Sequence, residues 1–166
     1  TGRDQVYLLS SNEAEPQPLG DPLDILSLSW LGDGTGFVLL VGGGVEKTDE
    51  RSGMRIVRLG LDGGVSGIRS DTGSFATVAG KDSQRILFRG RDQLWYTCSP
   101  KGKSVSKVGN GLKDLADPAV NPEGTHAVMI GRDAEGRTWP IVVDLVSGER
   151  FPVKVERGRW LHPAWR

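Results

Sequence analysis

The chain has 166 residues, in which 21 lysines and arginines balance 21 aspartates and glutamates, for a formal net charge of +0 at pH 7. That balance leaves no net field to draw the protein to nucleic acid, to an anionic membrane or to acidic substrates. A single cysteine, Cys98, excludes an internal disulfide, and no apolar run approaches the roughly 18 residues of a membrane-spanning helix.

Along the chain the hydrophobic pattern is that of strands. No stretch of helical length carries apolar residues at i, i+3, i+4 and i+7. Instead, short Val-, Ile-, Leu- and Phe-rich runs stand between clusters of Gly, Asp, Asn, Ser and Pro. In chain order the expected strands are Gln5–Leu9, Ile25–Trp30, Phe37–Val41, Arg55–Leu59, Phe75–Ala79, Arg85–Phe88, Gln93–Thr97, Ser104–Val108, Ala127–Ile130, Pro140–Asp144 and Phe151–Val155. Gln17-Pro18-Leu19 and Asp117-Pro118-Ala119-Val120 read as shorter extended pieces. Tight turns separate them at Gly32-Asp33-Gly34, Asp62-Gly63-Gly64, Lys101-Gly102, Glu123-Gly124, Glu135-Gly136 and Ser147-Gly148, which fits a sequence with 24 glycines.

These elements recur about every 45 residues, the period of β-propeller blades. Ser29-Trp30-Leu31-Gly32-Asp33-Gly34-Thr35-Gly36-Phe37-Val38 aligns with Ala119-Val120-Asn121-Pro122-Glu123-Gly124-Thr125-His126-Ala127-Val128. A degenerate copy runs from Thr77 to Phe88, and a fourth begins at His162-Pro163-Ala164-Trp165. The clearest unit, from Ala116 to Lys154, holds four strands between two entry motifs.

That unit resembles the repeat of TolB-like (WD-repeat-like) β-propellers, whose blades read D-P-x-W-S-P-D-G-K, a strand, a polar hairpin, then I-Y-V-x-D-L-x-x-G-E. Asp117, Pro118, Pro122, Gly124, Val142, Asp144, Leu145, Gly148 and Glu149 occupy matching positions, while Val120, Asn121 and Glu123 replace the usual Trp, Ser and Asp. The expected fold is therefore all-β: a β-propeller fragment of about three complete four-stranded antiparallel blades with partial blades at both ends. Approximate bounds are 1–20 (partial), 21–70, 71–115, 116–158 and 159–166 (partial). Three full blades fall below the usual minimum of four for a closed ring, so the sequence reads as part of a larger propeller.

The resemblance implies a non-catalytic protein-binding or scaffolding module with a protein or peptide partner, in association with the remaining blades of the same propeller. It favours an extracytoplasmic, envelope-associated setting. It also admits an alternative, the substrate-gating propeller of a prolyl-oligopeptidase-like serine peptidase whose catalytic domain lies outside this chain. Neither reading calls for a cofactor, nucleic acid or membrane insertion.

Short chemical motifs yield to plainer readings. Asp71-Thr72-Gly73-Ser74 spells an aspartic-protease signature but coincides with a turn into a blade. Gly64-Val65-Ser66-Gly67-Ile68 lacks the final glycine of a nucleophile elbow. His126 and His162 are the only imidazoles, and with one cysteine they make no usual zinc set. No calcium-loop spacing occurs. Cys98 sits in an apolar run as a small hydrophobe, and Arg85, Arg89 and Arg91 read as solvated. Trp30 and Trp165 are expected to pack between blades, each burying on the order of 200 Å². Candidate partner-binding residues are Trp139 and Arg132 around the hairpin of the Ala116–Lys154 unit, and Glu46 and Lys47 in the long loop 42–53, because loops standing on a rigid scaffold are favoured binding elements.

Overall fold

The computed structural model describes residues 3–9, 15–42, 53–79, 85–109, 112, 114–132 and 135–154. They form strands joined by turns, with no helix among them. β1 (Asp4–Leu8) and β2 (Gln17–Leu23) make a first, two-stranded sheet. β3 (Ile25–Trp30), β4 (Gly36–Val41), β5 (Arg55–Gly60) and β6 (Val65–Arg69) make the second. The third consists of β7 (Thr72–Ala79), β8 (Arg85–Gly90), β9 (Trp95–Cys98) and β10 (Ser106–Lys107). The fourth consists of β11 (Leu115–Val120), β12 (His126–Arg132), β13 (Thr138–Asp144) and β14 (Arg150–Pro152). Within each sheet, sequential strands pair antiparallel, as short turns between them require.

The sheets stack face to face, and the stacking explains why some strands read as continuous apolar runs. β4 (Gly-Phe-Val-Leu-Leu-Val) is buried at every position. Side chains alternate across a strand, so Phe37, Leu39 and Val41 join Leu19, Val57 and Leu59 in a core against the first sheet. Val38 and Leu40 join Leu31, Ile56, Ile86, Phe88 and Cys98 in a core against the third. A further core between the third and fourth sheets gathers Leu87, Trp95, Val108 and Leu115 with Ala127, Met129, Ile141, Val143 and Leu145. Each fully buried Leu, Val, Ile, Phe or Met contributes on the order of 1.5–3 kcal/mol, so every junction between sheets is a hydrophobic core in its own right.

Polar bonds pin the junctions. Trp95, only 1% exposed, donates its indole N–H to the Leu115 carbonyl at 3.1 Å. Thr72 Oγ1 donates to the Met54 carbonyl at 2.7 Å, tying the third sheet to the second. Arg69 holds Asp71 with two of its nitrogens, reaches the Gly102 carbonyl at 3.1 Å and lies over the Phe88 ring at 5.3 Å.

The turn between the third and fourth strands of a sheet also presses on the sheet before it. Gly148 (φ 73) lies against Gly109 so closely that an added Cβ would stand 2.3 Å from the Gly109 Cα. Gly63 (φ 80) meets Gly20 in the same way, with an added Cβ 3.2 Å from the Gly20 nitrogen. Glycine is required at these turns both for the left-handed backbone and for the close approach.

In the first strand of the second, third and fourth sheets the register is irregular, at Ile25/Ser27, Thr72/Ala76 and Ala116/Ala119. Pro118, which has no N–H to give a ladder, occupies the last of these irregularities beside Asp117 at φ 47. In the fourth sheet the Asp117-Pro118 entry motif is thus the sequence mark of a bulge, while the second and third sheets bulge without a proline there.

Candidate interaction surface

β3 is the edge strand of the second sheet, and its two faces differ. Ser27 and Ser29 pair with Leu40 and Val38 and share the face turned to the third sheet, where β7 packs on β3 and β4. Leu28 and Trp30 pair with Leu39 and Phe37, on the face turned to the first sheet. With Leu26 they form an alternating apolar stripe, 50%, 45% and 52% exposed for Leu26, Leu28 and Trp30. Three large apolar side chains in a row, each half in water, make an unusual surface for a strand of a stacked sheet. Among the described residues the first sheet has two strands; its β1 reaches the start of β3, where Asp4 accepts the Ile25 amide at 3.0 Å, and Tyr7 and Leu9 are exposed.

Trp30 therefore departs from the expectation that it packs between blades. Its ring rests on Phe37, with centroids 4.1 Å apart, but its outer face is open. The first sheet has two strands where the others have four, so no described residue covers this part of the junction. Among the described residues the fully buried indole is that of Trp95, whose apolar strand is evident in the sequence but whose bond to Leu115 spans two sheets and is not. Trp165 lies outside the described residues.

Of the four candidate partner-binding residues, Glu46 and Lys47 lie outside the described residues. Arg132 and Trp139 meet on one hairpin but point apart. Arg132 pairs with Thr138 and is exposed, whereas Trp139 pairs with Gly131 on the opposite face. The Trp139 ring lies across Gly131, where an added Cβ would stand 3.0 Å from it, and packs on the core between the third and fourth sheets. The two do not form one patch.

The first turn of the fourth sheet is organised by the buried Asn121. Its Oδ1 accepts from the Thr125 and His126 amides, each at 2.9 Å, and its amide donates to Glu123 and to Thr125 Oγ1. Thr125 Oγ1 lies 2.9 Å from His126 Nδ1, and His126 Nε2 lies 3.7 Å from Asp144 Oδ2. This hydroxyl–imidazole–carboxylate line is interrupted, since its last step exceeds hydrogen-bond length. The Thr125 oxygen already takes the Asn121 amide. Asp144 caps the next turn, and the Ser147 and Val146 amides hold its carboxyl below the usual range.

Asp71 is likewise committed, its carboxyl lowered by the Arg69 guanidinium. Asp114 is lowered by the two-pronged pair it forms with Arg150 at 2.8 and 2.9 Å. Burial pushes the Cys98 thiol up to about 11, which leaves it protonated at neutral pH. Of the three basic residues, Arg85 and Arg91 are exposed, while Arg89 is half-buried with its guanidinium over the Trp95 ring at 5.8 Å. Among the described residues no group of three or more His, Cys, Asp or Glu could hold a metal ion, and no helix is long and apolar enough to cross a membrane.

No family model and no curated protein matches the chain. Solved structures do. TolB from Acinetobacter baumannii superposes with a TM-score of 0.69 at 15% identity, over 93% of this chain and 39% of that one. A putative TolB from Agrobacterium tumefaciens superposes with a TM-score of 0.68 at 17% identity, over 91% of this chain and 56% of that one. The chain thus spans less than two thirds of either structure, and likeness at this identity speaks to the fold. Stacked antiparallel sheets, a recurring bulged entry strand and these two superpositions lead to one conclusion: the fold is that of part of a TolB-like β-propeller.

Proposed function

We propose that this chain is a non-catalytic protein-binding and scaffolding part of a β-propeller. Its partners in this reading are a protein or peptide and the remaining blades of the same propeller. The observation that carries the proposal is the Leu26, Leu28 and Trp30 stripe, together with the edge that β1 presents among the described residues. Burying three half-exposed side chains of this size against a strand-rich partner would contribute on the order of several kcal/mol. An edge strand offers unpaired N–H and C=O groups to the same partner. The likeness in fold to the two TolB structures supports a binding role, and the extracytoplasmic setting implied by the repeat belongs to the same proposal.

Light scattering on the purified chain tests it. The stripe predicts an average mass that rises with concentration, and a Leu28→Ser, Trp30→Ser double variant that stays monomeric. A wild-type chain that is monomeric at every concentration, and melts cooperatively, would overturn the proposal.

A further inference from the structure

Between the third and fourth sheets a groove of about 300 Å³ opens to solvent. Its floor includes Arg85, the first residue of β8, and the hydroxyl side chains Ser99, Ser104 and Ser106 from the end of the third sheet; Leu145 and Val146 of the fourth sheet form the opposite wall.

Three features give this groove a chemical preference. The first is charge. Arg85 is exposed, and among the described residues no carboxylate pairs with it. The loop leading into β10 carries Lys101 and Lys103, and β10 itself Lys107, with no acidic residue between Ser99 and Gly109. Across the groove, Asp144 is the carboxylate next to Leu145, and one of its oxygens already accepts from the Val146 amide and from the Ser147 amide and hydroxyl.

The second feature is proton donors. Ser99 Oγ accepts the Lys103 amide at 3.1 Å, which leaves its own O–H to donate. Ser104 is held at φ 54, a left-handed backbone uncommon outside glycine, and such outliers gather at binding sites. The third is an apolar wall. Val146 is 68% exposed, so an aliphatic side chain stands beside a floor that holds Arg85 and serine hydroxyls.

We propose that this groove takes an acidic, aliphatic peptide segment of a partner protein. A Glu or Asp carboxylate would be received by Arg85 and the serine hydroxyls through charge-assisted hydrogen bonds, with a neighbouring aliphatic side chain laid on Val146. The inference rests on the binding-module reading and gives that module a second surface, remote from the Leu26–Trp30 stripe, and a partner chemistry.

Chemical-shift mapping on the full isotope-labelled chain tests it. The probe is the capped peptide Glu-Val-Glu-Val-Glu, with Gln-Val-Gln-Val-Gln and inorganic phosphate as controls. The acidic peptide should shift amides of 97–106 and 145–148 saturably. The glutamine peptide should not, and binding should weaken with added salt. In Arg85→Gln, with an unchanged melting temperature as the check on folding, the peptide's affinity should fall about three- to fivefold, as for a solvent-exposed ion pair. Ser106→Ala is the second variant and should weaken binding by a smaller factor.

Equal binding of the glutamine peptide, or shifts spread over the lysines at large, would overturn the groove. Phosphate binding as tightly as the peptide at the same amides would overturn the peptide assignment. Shifts confined to the Leu26–Trp30 stripe would overturn the groove and leave the binding-module reading standing. No shift anywhere would also overturn the groove, and the binding module would then stand or fall on its own light-scattering result.

Discussion

Two junctions in this molecule are built from the same parts and finished differently. Between the third and fourth sheets, four strands face four, Trp95 is buried and bonded across the gap, and the Gly109 and Gly148 backbones touch. Between the first and second sheets, two strands face four. The outer half carries a core around Leu19, Leu39 and Leu59, while the inner half presents Leu26, Leu28 and Trp30 to water. The contrast shows that a sheet in this stack has no interior of its own. Its side chains become core only where the next sheet reaches, strand for strand.

Removing the largest side chain of the complete junction should have the greatest effect. Trp95→Ala should cost about 3–5 kcal/mol, read as a lower midpoint in denaturant unfolding. Trp95→Phe, which keeps much of the packing and loses the bond to Leu115, should cost less. A Trp95→Ala variant as stable as the wild type would show that the junction does not hold the fold.

The backbone contacts should rank in the same order as the junctions. Gly148→Ala must place a Cβ against Gly109 from a left-handed backbone, and should cost about 1–3 kcal/mol. Gly63→Ala at the first junction meets a looser contact and should cost less by thermal melting. The reverse ranking would contradict the difference drawn between the two junctions.

Acid should loosen the ion-paired turns. Asp71 and Asp114 have carboxyls lowered in the folded chain by Arg69 and Arg150. The stability they add is present above the unfolded carboxylate range near pH 4 and is lost as pH falls through the lower folded values. Both carboxylates are largely exposed, so each accounts for a few tenths to about 1 kcal/mol. Asp114→Asn should flatten that part of the stability–pH curve and leave the neutral-pH plateau slightly lower.

The stripe should matter least to folding. Leu28→Ser or Trp30→Ser should change stability by about 0.5 kcal/mol or less, as for surface positions, while reducing self-association. A loss of several kcal/mol would mean that the stripe is already covered.

Much of the architecture could be read along the chain because turns and strands here are local. Asp62-Gly63, Lys101-Gly102 and Ser147-Gly148 announce turns that the structure contains, and β3 runs from Ile25 to Trp30 as its apolar pattern suggests. β6 was not legible: Val65-Ser66-Gly67-Ile68-Arg69 has a glycine at its centre and a mostly exposed face, and becomes a strand by pairing with β5. β7 begins at Thr72 rather than Phe75 because Thr72 pairs with Gly90 of β8, across the bulge, while its hydroxyl reaches the Met54 carbonyl just ahead of β5. The surface was less legible still. Trp30 and Trp95 both sit in strand-like runs, and their opposite fates depend on what lies across a junction. Arg132 and Trp139 are close in sequence and on one hairpin, yet their alternation puts them on opposite faces.

By itself, then, the sequence determined the repeat: alternating apolar runs set strands, and Gly, Asp and Pro set the turns and bulges between them, because those preferences act within a few residues. The tertiary structure alone decided which apolar faces are core and which stand half in water, and which hydroxyls share the groove between the third and fourth sheets with Arg85. Burial is a property of two surfaces, and the second surface lies tens of residues away along the chain.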